Sequence, residues 1–114
     1  KEDLIDMQRQ ADHVFVHDAI YDYVARLAEA TRRNELITLG ISPRGSLALV
    51  SMAKATAMMA GRDFVIPEDV GFCFATTVIH RMILNARARV GNLTLEEIAA
   101  DILEQTPKPR LING

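Results

Sequence analysis

Residues 40–45 have the sequence Gly40-Ile41-Ser42-Pro43-Arg44-Gly45, and this stretch predicts the start of a long helix. The Ser42 hydroxyl can accept a hydrogen bond from a free N–H group in the first helical turn. Pro43 suits the first helical position, because the N–H that proline lacks would have no partner there. We therefore expect a helix that begins at Pro43.

This central helix is expected to run to about Ala60 and to end at Gly61, a residue type common just after helix C-termini. Lys54 is the one charge in its interior. Small side chains leave room for close neighbours, and they are Ala48, Ala53, Ala55, Ala57 and Ala60. Because a helix that is apolar on most sides is normally buried, we place it at the centre of a bundle.

A helix upstream of it is predicted to begin near Asp18. Its inward stripe recurs at helical spacing and consists of Ile20, Val24, Leu27 and Thr31. On the outward face, Asp22 with Arg26 and Glu29 with Arg33 form acid-to-base pairs four residues apart. A shorter helix is expected over residues 3–11, and a loop over residues 34–41.

Two helices are predicted downstream. Pro67 and two acidic residues start the first, which is expected to end or kink at His80-Arg81. Its buried stripe is Val70, Cys73, Phe74, Thr77 and Val78. Thr94 and Glu97 form a capping box for the last helix, which the prolines at 107 and 109 end. Its stripe is Leu95, Ile98, Ala99, Ile102 and Leu103. Residues 85–92 give no assignment.

Two short stretches, Val14–Val16 and Phe64–Ile66, consist of residues that favour strands, and we expect them to pair. The predicted fold is therefore all-α: a small bundle of about five helices with two very short paired strands. At 114 residues, 49% of them apolar, the chain fits one domain that spans residues 1–114.

Composition excludes several function classes. The 13 basic residues are outnumbered by 15 acidic ones, so no overall positive field favours nucleic acid or an anionic membrane. No apolar run reaches the roughly 20 residues that a membrane span needs. The single cysteine excludes an internal disulfide and fits a cytoplasmic protein. No leader peptide is visible, and we expect the chain to be part of a longer protein.

Arg44 places a positive charge in the first turn of a helix, where the helix dipole opposes it by about 0.3–1 kcal/mol. A bound anion would offset that cost, because first-turn N–H groups and a guanidinium can hold a phosphate together, with Gly45 leaving room for approach. From spacing alone, the favoured interpretation is a guanidinium that bends into solvent or pairs with a nearby carboxylate, and the anion site is the alternative.

The order and separation of five pieces resemble the C-terminal lid of MoxR-type AAA+ ATPases, over most of the chain. These pieces are Ala30-Thr31-Arg32, Leu39-Gly40-Ile41-Ser42-Pro43-Arg44, Ala53-Lys54-Ala55, Gly61-Arg62-Asp63-Phe64-Val65-Ile66-Pro67-Glu68-Asp69-Val70, and His80-Arg81. The sequence departs from the family pattern at Ile41, where a small residue is common, and at Gly45, where alanine is common. Neither departure removes the charge at Arg44.

The resemblance implies a nucleotide-sensing role. In that family the arginine of the Ser-Pro-Arg motif is the sensor-2 residue, which reaches the nucleotide phosphates; carried over, it is Arg44, with Ser42 and Gly45 as supporting residues. ATP would be bound mainly by a large AAA+ domain outside this chain, and Mg²⁺ only in the intact protein. The resemblance also implies a ring, expected to be hexameric, that acts as a chaperone in maturing other proteins, with a von Willebrand A-type partner protein.

Other chemistry-bearing residues are interpreted structurally. His13 and His17 would stand about 13 Å apart on an extended chain, too far to share a metal ion. Cys73 is expected to be a buried apolar residue, as are Met52, Met58 and Met59. Arg32 and the His80-Arg81 pair are assigned to solvated helix ends, or to ion pairs with Asp63, Glu68 or Asp69. Contact with nucleotide or with a neighbouring subunit is the less favoured alternative for them.

The sequence lacks a phosphate-binding Gly-x4-Gly-Lys-Ser/Thr loop and any nucleophile with a candidate base. We therefore expect no catalysis by this chain on its own, although the parent protein is expected to be an ATPase. Two alternatives from other classes stay open at this point. One is a helix-turn-helix DNA-binding domain in which the Pro67 helix is the reader and Arg62 and Arg81 contact phosphate, and the other is a histone-like helical interaction module.

Overall fold

The computed structural model describes residues 13–77 and 83–110. Within them the chain forms five helices and two short strands. In order they are α1 (Asp18–Arg33), β1 (Ile37–Leu39), α2 (Pro43–Met59), α3 (Pro67–Thr77), β2 (Ile83–Leu84), α4 (Ala86–Val90) and α5 (Leu95–Gln105). The predicted small helical bundle is confirmed. The helix expected over residues 3–11, as well as Val78 and the His80-Arg81 pair, lies outside the described residues.

The centre of the bundle is α1, which packs against α2, α3, α5 and β1. Its inward side chains Ile20, Tyr23 and Leu27 are fully buried, and the predicted pairs Asp22–Arg26 and Glu29–Arg33 form at 3.0 Å and 2.8 Å on its outer face. Arg26 also donates to the carbonyl of Pro107, near the other end of the chain, at 2.9 Å. This bond holds the segment after α5 against α1. The amphipathic helix α1 is therefore the one on which the core is built.

The prediction that the Pro43 helix lies at the centre is wrong. It packs on α1 and α3 through Leu49, Ala53 and Ala57, while its opposite face is exposed. Met59 is 78% exposed and Met52 43% exposed, so the expectation of a core role is wrong for both; Met58 alone packs on the core. Small residues allow α2 to approach its neighbours on one side without requiring burial on the other.

Both ends of α2 form as predicted. The Ser42 hydroxyl accepts a hydrogen bond from the Gly45 N–H at 3.1 Å. At the other end, Gly61 adopts a positive φ of 81°, which glycine tolerates without strain. This lets the Arg62 N–H reach the Ala57 carbonyl and the Gly61 N–H reach the Met58 carbonyl, each at 2.9 Å, so the last carbonyls of the helix are satisfied.

The stretch expected to be a loop contains β1, which pairs antiparallel with β2. Asn85 reinforces the pairing: its N–H donates to the Leu36 carbonyl at 3.0 Å, its side-chain amide donates to the Glu35 carbonyl, and its side-chain oxygen caps α4. Strands of three and two residues are too short to show an alternating pattern, so the sequence gives no periodic signal for them.

The two stretches that were expected to pair do so through one parallel bridge, between Phe15 and Phe64. The Phe15 N–H donates to the Asp63 carbonyl at 2.7 Å, and the Val65 N–H donates to the Phe15 carbonyl at 2.9 Å. The Thr94–Glu97 capping box of α5 is also present as predicted. Among the described residues, no helix is long and apolar enough to cross a bilayer.

A buried ion pair joins the end of α2 to the start of α3. Both terminal nitrogens of the Arg62 guanidinium donate to the Asp69 carboxylate, at 2.7 Å and 2.8 Å, and the Ile66 N–H donates to it at 2.9 Å. The Asp69 side chain is only 4% exposed. Burial alone would raise the pKa of Asp69, but these hydrogen bonds outweigh it, and the pKa lies below its ordinary value.

Replacing Asp69 by Asn is expected to lower the free energy of unfolding by about 3 kcal/mol at pH 7, because the Arg62 charge loses its buried partner. A carboxylate whose pKa is lowered on folding contributes stability above its unfolded pKa of about 3.9, and that contribution is lost as pH falls through the folded pKa. Urea unfolding should therefore show a wild-type advantage that shrinks below about pH 4.

The matched control is Glu68→Gln, because the Glu68 side chain is 62% exposed and its one ion pair among the described residues is with Lys108, at 3.6 Å. This substitution should change the free energy of unfolding by less than about 0.5 kcal/mol. Equal losses for the two variants at pH 7 would contradict the assignment of a stabilising role to the buried pair.

Candidate functional site

The candidate site is the corner where the chain turns from β1 into α2. Arg44 lies in the first turn of α2 and is exposed. Across residues 13–77 and 83–110, its side chain has no hydrogen-bond or ion-pair partner. The nearby-carboxylate alternative for Arg44 therefore finds no support in the described part of the chain, and the exposed guanidinium agrees with the alternative in which it extends into solvent.

The N–H groups of this first turn are largely committed. Pro43 has none, the Gly45 N–H donates to the Ser42 hydroxyl, and the Ser46 N–H donates to the Ser42 carbonyl at 3.0 Å. Gly45 is buried on the inward side of α2 rather than open to an approaching anion. Ser42 and Gly45 therefore build the helix start, and any contact with an anion at this corner depends mainly on the Arg44 side chain.

The segment that leads into this corner is held on the C-terminal turn of α1. The Ile41 N–H donates to the Thr31 hydroxyl at 2.9 Å, and the Ile41 carbonyl accepts from the Arg32 guanidinium at 2.7 Å. Arg32 also donates to Glu29 at 3.3 Å. The ion-pair partners considered for Arg32 from the sequence, Asp63, Glu68 and Asp69, are therefore wrong: the guanidinium serves a backbone carbonyl and a residue one turn away.

Gly40 is required by the same contact. A Cβ atom at Gly40 would lie 2.8 Å from the Arg32 backbone nitrogen and 2.9 Å from the Thr31 carbonyl carbon, closer than real Cβ atoms come to backbone. Because backbone atoms cannot move aside as a flexible side chain can, any larger residue would push the segment away from α1. The glycine thus allows the close approach that brings Ile41 within reach of Thr31 and Arg32.

A shallow groove of about 390 Å³ runs between α1 and α2 next to this corner. Its lining is mostly apolar and comprises Tyr21, Val24, Ala25, Ala28, Arg32, Pro43, Ser46, Leu47 and Val50. Leu47 lines this groove and is 68% exposed. The exposed Arg44 therefore lies next to an exposed apolar groove.

The remaining residues considered from sequence have structural roles. His17 caps α1, with its Nδ1 accepting from the Ala19 N–H at 2.9 Å. Cys73 is buried as predicted; burial raises the pKa of its thiol, although Thr56 lies within hydrogen-bond distance at 3.2 Å. Within the described ranges, no group of three or more His, Cys, Asp or Glu residues could hold a metal ion.

Comparison with known proteins assigns the chain to a family. Residues 29–104 match the family model described as the AAA lid domain. The chain belongs to the AAA lid domain family. Its relatives identify it as the lid type of MoxR AAA+ ATPases. The matched range contains α1 from its last turn, the Arg44 corner and all of α2 to α4.

Two relatives cover 96% of the chain. The lid is 37% identical over 109 residues to the uncharacterized protein YeaC of Bacillus subtilis, and 33% identical over 118 residues to the chaperone MoxR1 of Mycobacterium tuberculosis. It is also 43% identical to the protein MoxR of Paracoccus denitrificans, over 51% of the chain. It spans only 34% and 31% of the lengths of the first two.

A solved structure supports the same assignment. The lid superimposes on a protein from Cytophaga hutchinsonii that is provisionally described as an ATPase, with a TM-score of 0.82 and 26% sequence identity. The alignment covers 90% of the lid and 34% of that protein. The helical arrangement is therefore that of a domain found within a larger chain in these relatives.

Replacing Gly40 by Ala is expected to lower the free energy of unfolding by about 2 kcal/mol, because the added methyl group would clash with the backbone of α1. Gly71→Ala, in the middle of α3, is the matched control. Among the described residues, the added Cβ would meet the Leu103 side chain of α5, at an ordinary contact distance of 3.8 Å. That variant should be as stable as the wild type or up to about 1 kcal/mol more stable. Urea unfolding measures both, and equal stabilities would show that the Gly40 contact is not tight.

Proposed function

We propose that this lid contributes Arg44 as the sensor-2 arginine of an ATP-binding site whose other residues lie in a large AAA+ domain. The observation that carries the proposal is the exposed Arg44 guanidinium, which has no partner among the described residues although it lies in the first turn of α2. Placed there, the charge is opposed by the helix dipole, and a phosphate group would reverse that unfavourable interaction.

Most N–H groups in the first turn of α2 are already hydrogen-bonded, so the contact with phosphate depends mainly on the Arg44 side chain. Because the Gly45 and Ser46 N–H groups already donate to Ser42, the helix end offers few donors of its own to a phosphate. A bidentate hydrogen bond from the guanidinium is the strongest contact that remains. Arg44 therefore senses whether a terminal phosphate is present, and the helix end contributes little to binding by itself.

The outer face of α2 supplies a surface for the other half of the site. Leu47 and Met59 are 68% and 78% exposed on the same helix that carries Arg44. Exposed apolar side chains gain free energy when a second surface covers them. We propose that the large AAA+ domain, of the same or a neighbouring subunit, packs on this face while ATP is bound.

Hydrolysis would then change the position of the lid. Loss of the terminal phosphate removes the charge-assisted contact of Arg44 and leaves the weaker apolar contact of α2 to hold the lid. The equilibrium between lid positions shifts by the difference in interaction free energy between the two nucleotide states. In this proposal the lid catalyses no reaction, and it couples the nucleotide state to domain motion.

The intact protein is proposed to be an ATP hydrolase that assembles into a ring, expected to be hexameric, in the cytoplasm. ATP and Mg²⁺ would be held by residues of the large domain. A role in maturing other proteins agrees with the description of the MoxR1 relative as a chaperone. A von Willebrand A-type partner remains part of the proposal, and it stems from the family resemblance alone.

The structure offers the alternative functions little support. In the helix-turn-helix alternative Arg62 was expected to contact phosphate, but its guanidinium is held by Asp69 in a buried pair. The net charge of −2 also provides no general attraction to DNA. The match of residues 29–104 to the AAA lid domain family argues against the histone-like alternative.

In the full-length ATPase, replacing Arg44 by Ala is expected to lower kcat/KM for ATP hydrolysis at least ten-fold, because a charge-assisted hydrogen bond to phosphate is worth about 1.5–3 kcal/mol. Urea unfolding of the lid should stay within about 0.5 kcal/mol of wild type. Arg89→Ala, at an exposed arginine of α4, is the control and should leave hydrolysis unchanged. Wild-type hydrolysis and nucleotide affinity in the Arg44 variant would contradict the sensor assignment.

The isolated lid is expected to bind ATP with a dissociation constant above about 1 mM, because one guanidinium and a largely satisfied helix end make only a fraction of a phosphate site. Isothermal titration calorimetry at low ionic strength measures this, with the Arg44→Ala lid as the blank. Micromolar affinity for the wild-type lid would show that a complete nucleotide site exists within this chain.

A further inference from the structure

We infer that Thr31 and Arg32 are positioning residues for Arg44: they fix both backbone hydrogen-bonding groups of Ile41, and so make the Arg44 corner move as one body with α1. This inference rests on the proposed sensor role of Arg44. It extends that role by naming the residues through which the sensor is coupled to the core of the lid.

Thr31 provides the first half of the connection. Its hydroxyl donates to the Ala28 carbonyl at 2.6 Å and accepts from the Ile41 N–H at 2.9 Å, and the residue is completely buried. Both hydrogen-bonding functions of the hydroxyl are thus engaged within the protein. Because a buried N–H without a partner costs about 1–3 kcal/mol, the Ile41 N–H is strongly held at this hydroxyl.

Arg32 provides the second half. One nitrogen of its guanidinium donates to the Ile41 carbonyl at 2.7 Å, and another donates to Glu29 at 3.3 Å. Glu29 lies on the same helix and restrains the guanidinium from turning into solvent. The next residue, Arg33, also pairs with Glu29, at 2.8 Å, but no hydrogen bond joins it to Ile41 in the described part of the chain. The two adjacent arginines therefore share Glu29 as a partner and differ in the bond to Ile41.

These contacts leave the corner little freedom. The Ile41 side chain is 1% exposed in the core, its two backbone groups are bound to α1, and Gly40 lies against the α1 backbone. Ile41 directly precedes the helix cap Ser42 and stands three residues before Arg44. A displacement of Arg44 along the helix axis therefore requires either breaking these bonds or moving α1, and α1 is the helix on which the rest of the bundle packs.

The test is a double-mutant cycle in the full-length ATPase, using the kcat and KM of ATP hydrolysis. We expect Arg32→Ala and Thr31→Val each to lower the same kinetic parameter that Arg44→Ala lowers, by about five-fold or more, because a displaced guanidinium loses its aligned contact. In the Arg44→Ala background, adding either substitution should change that parameter less than about two-fold. Thr31→Ser keeps the hydroxyl and should restore most of the activity.

Arg33→Ala is the control for the charge and for the loss of a Glu29 pair, and it should leave both kinetic parameters at wild-type values. If Thr31→Val fails to fold in urea unfolding measurements, Arg32→Ala decides alone, because the Arg32 side chain is 44% exposed and its removal opens no cavity. Equal effects of Arg32→Ala and Arg33→Ala, or an effect of Arg32→Ala that persists in full without Arg44, would overturn the positioning role.

The same cycle separates this inference from the function on which it rests. If Arg44→Ala hydrolyses ATP like the wild type, the sensor assignment fails and the positioning role fails with it. If Arg44→Ala is impaired while Arg32→Ala and Thr31→Val are not, the sensor assignment stands and only the positioning role is overturned.

Discussion

The close approach of residues 40 and 41 to the last turn of α1 is the constraint on which the rest of the lid depends. Gly40 allows the backbones to meet, and Ile41 then places its side chain in the core and its N–H and carbonyl on α1. The direction in which α2 leaves this point is fixed by that contact. Since α3 packs mainly on α2, its placement follows from the same contact.

A second constraint acts at the far end of α2. The turn at Gly61 reverses the chain, and the buried pair of Arg62 with Asp69 joins that turn to the first turn of α3. The carboxylate sits near the N-terminus of α3, where the helix dipole favours a negative charge, and it also accepts the Ile66 N–H. The arginines at the two ends of α2 therefore differ: Arg62 is partly buried and paired with Asp69, whereas Arg44 is exposed and has no partner among the described residues.

The sequence predicted the features that depend on local chemistry and missed those that depend on packing. The caps at Ser42 and Thr94, the turn at Gly61 and the pairs on α1 were all predicted, because each involves residues a few positions apart. The centrality of α1 and the exposure of Met59 were not, since an alanine-rich helix has the same pattern whether one side or every side is covered. In the candidate site, Arg44 was predicted from its motif and stays a prediction, whereas the bond from Arg32 to Ile41 joins residues nine positions apart across β1 and has no periodic signature.

The small sheet has a consequence for how the lid folds. β1 and β2 are separated by all of α2 and α3, so their pairing closes a long stretch of chain for a gain of only a few hydrogen bonds. Closing such a loop costs entropy that the sheet alone does not offset. We therefore expect the two strands to pair late in folding, after α2 and α3 have docked on α1 and brought the strands together.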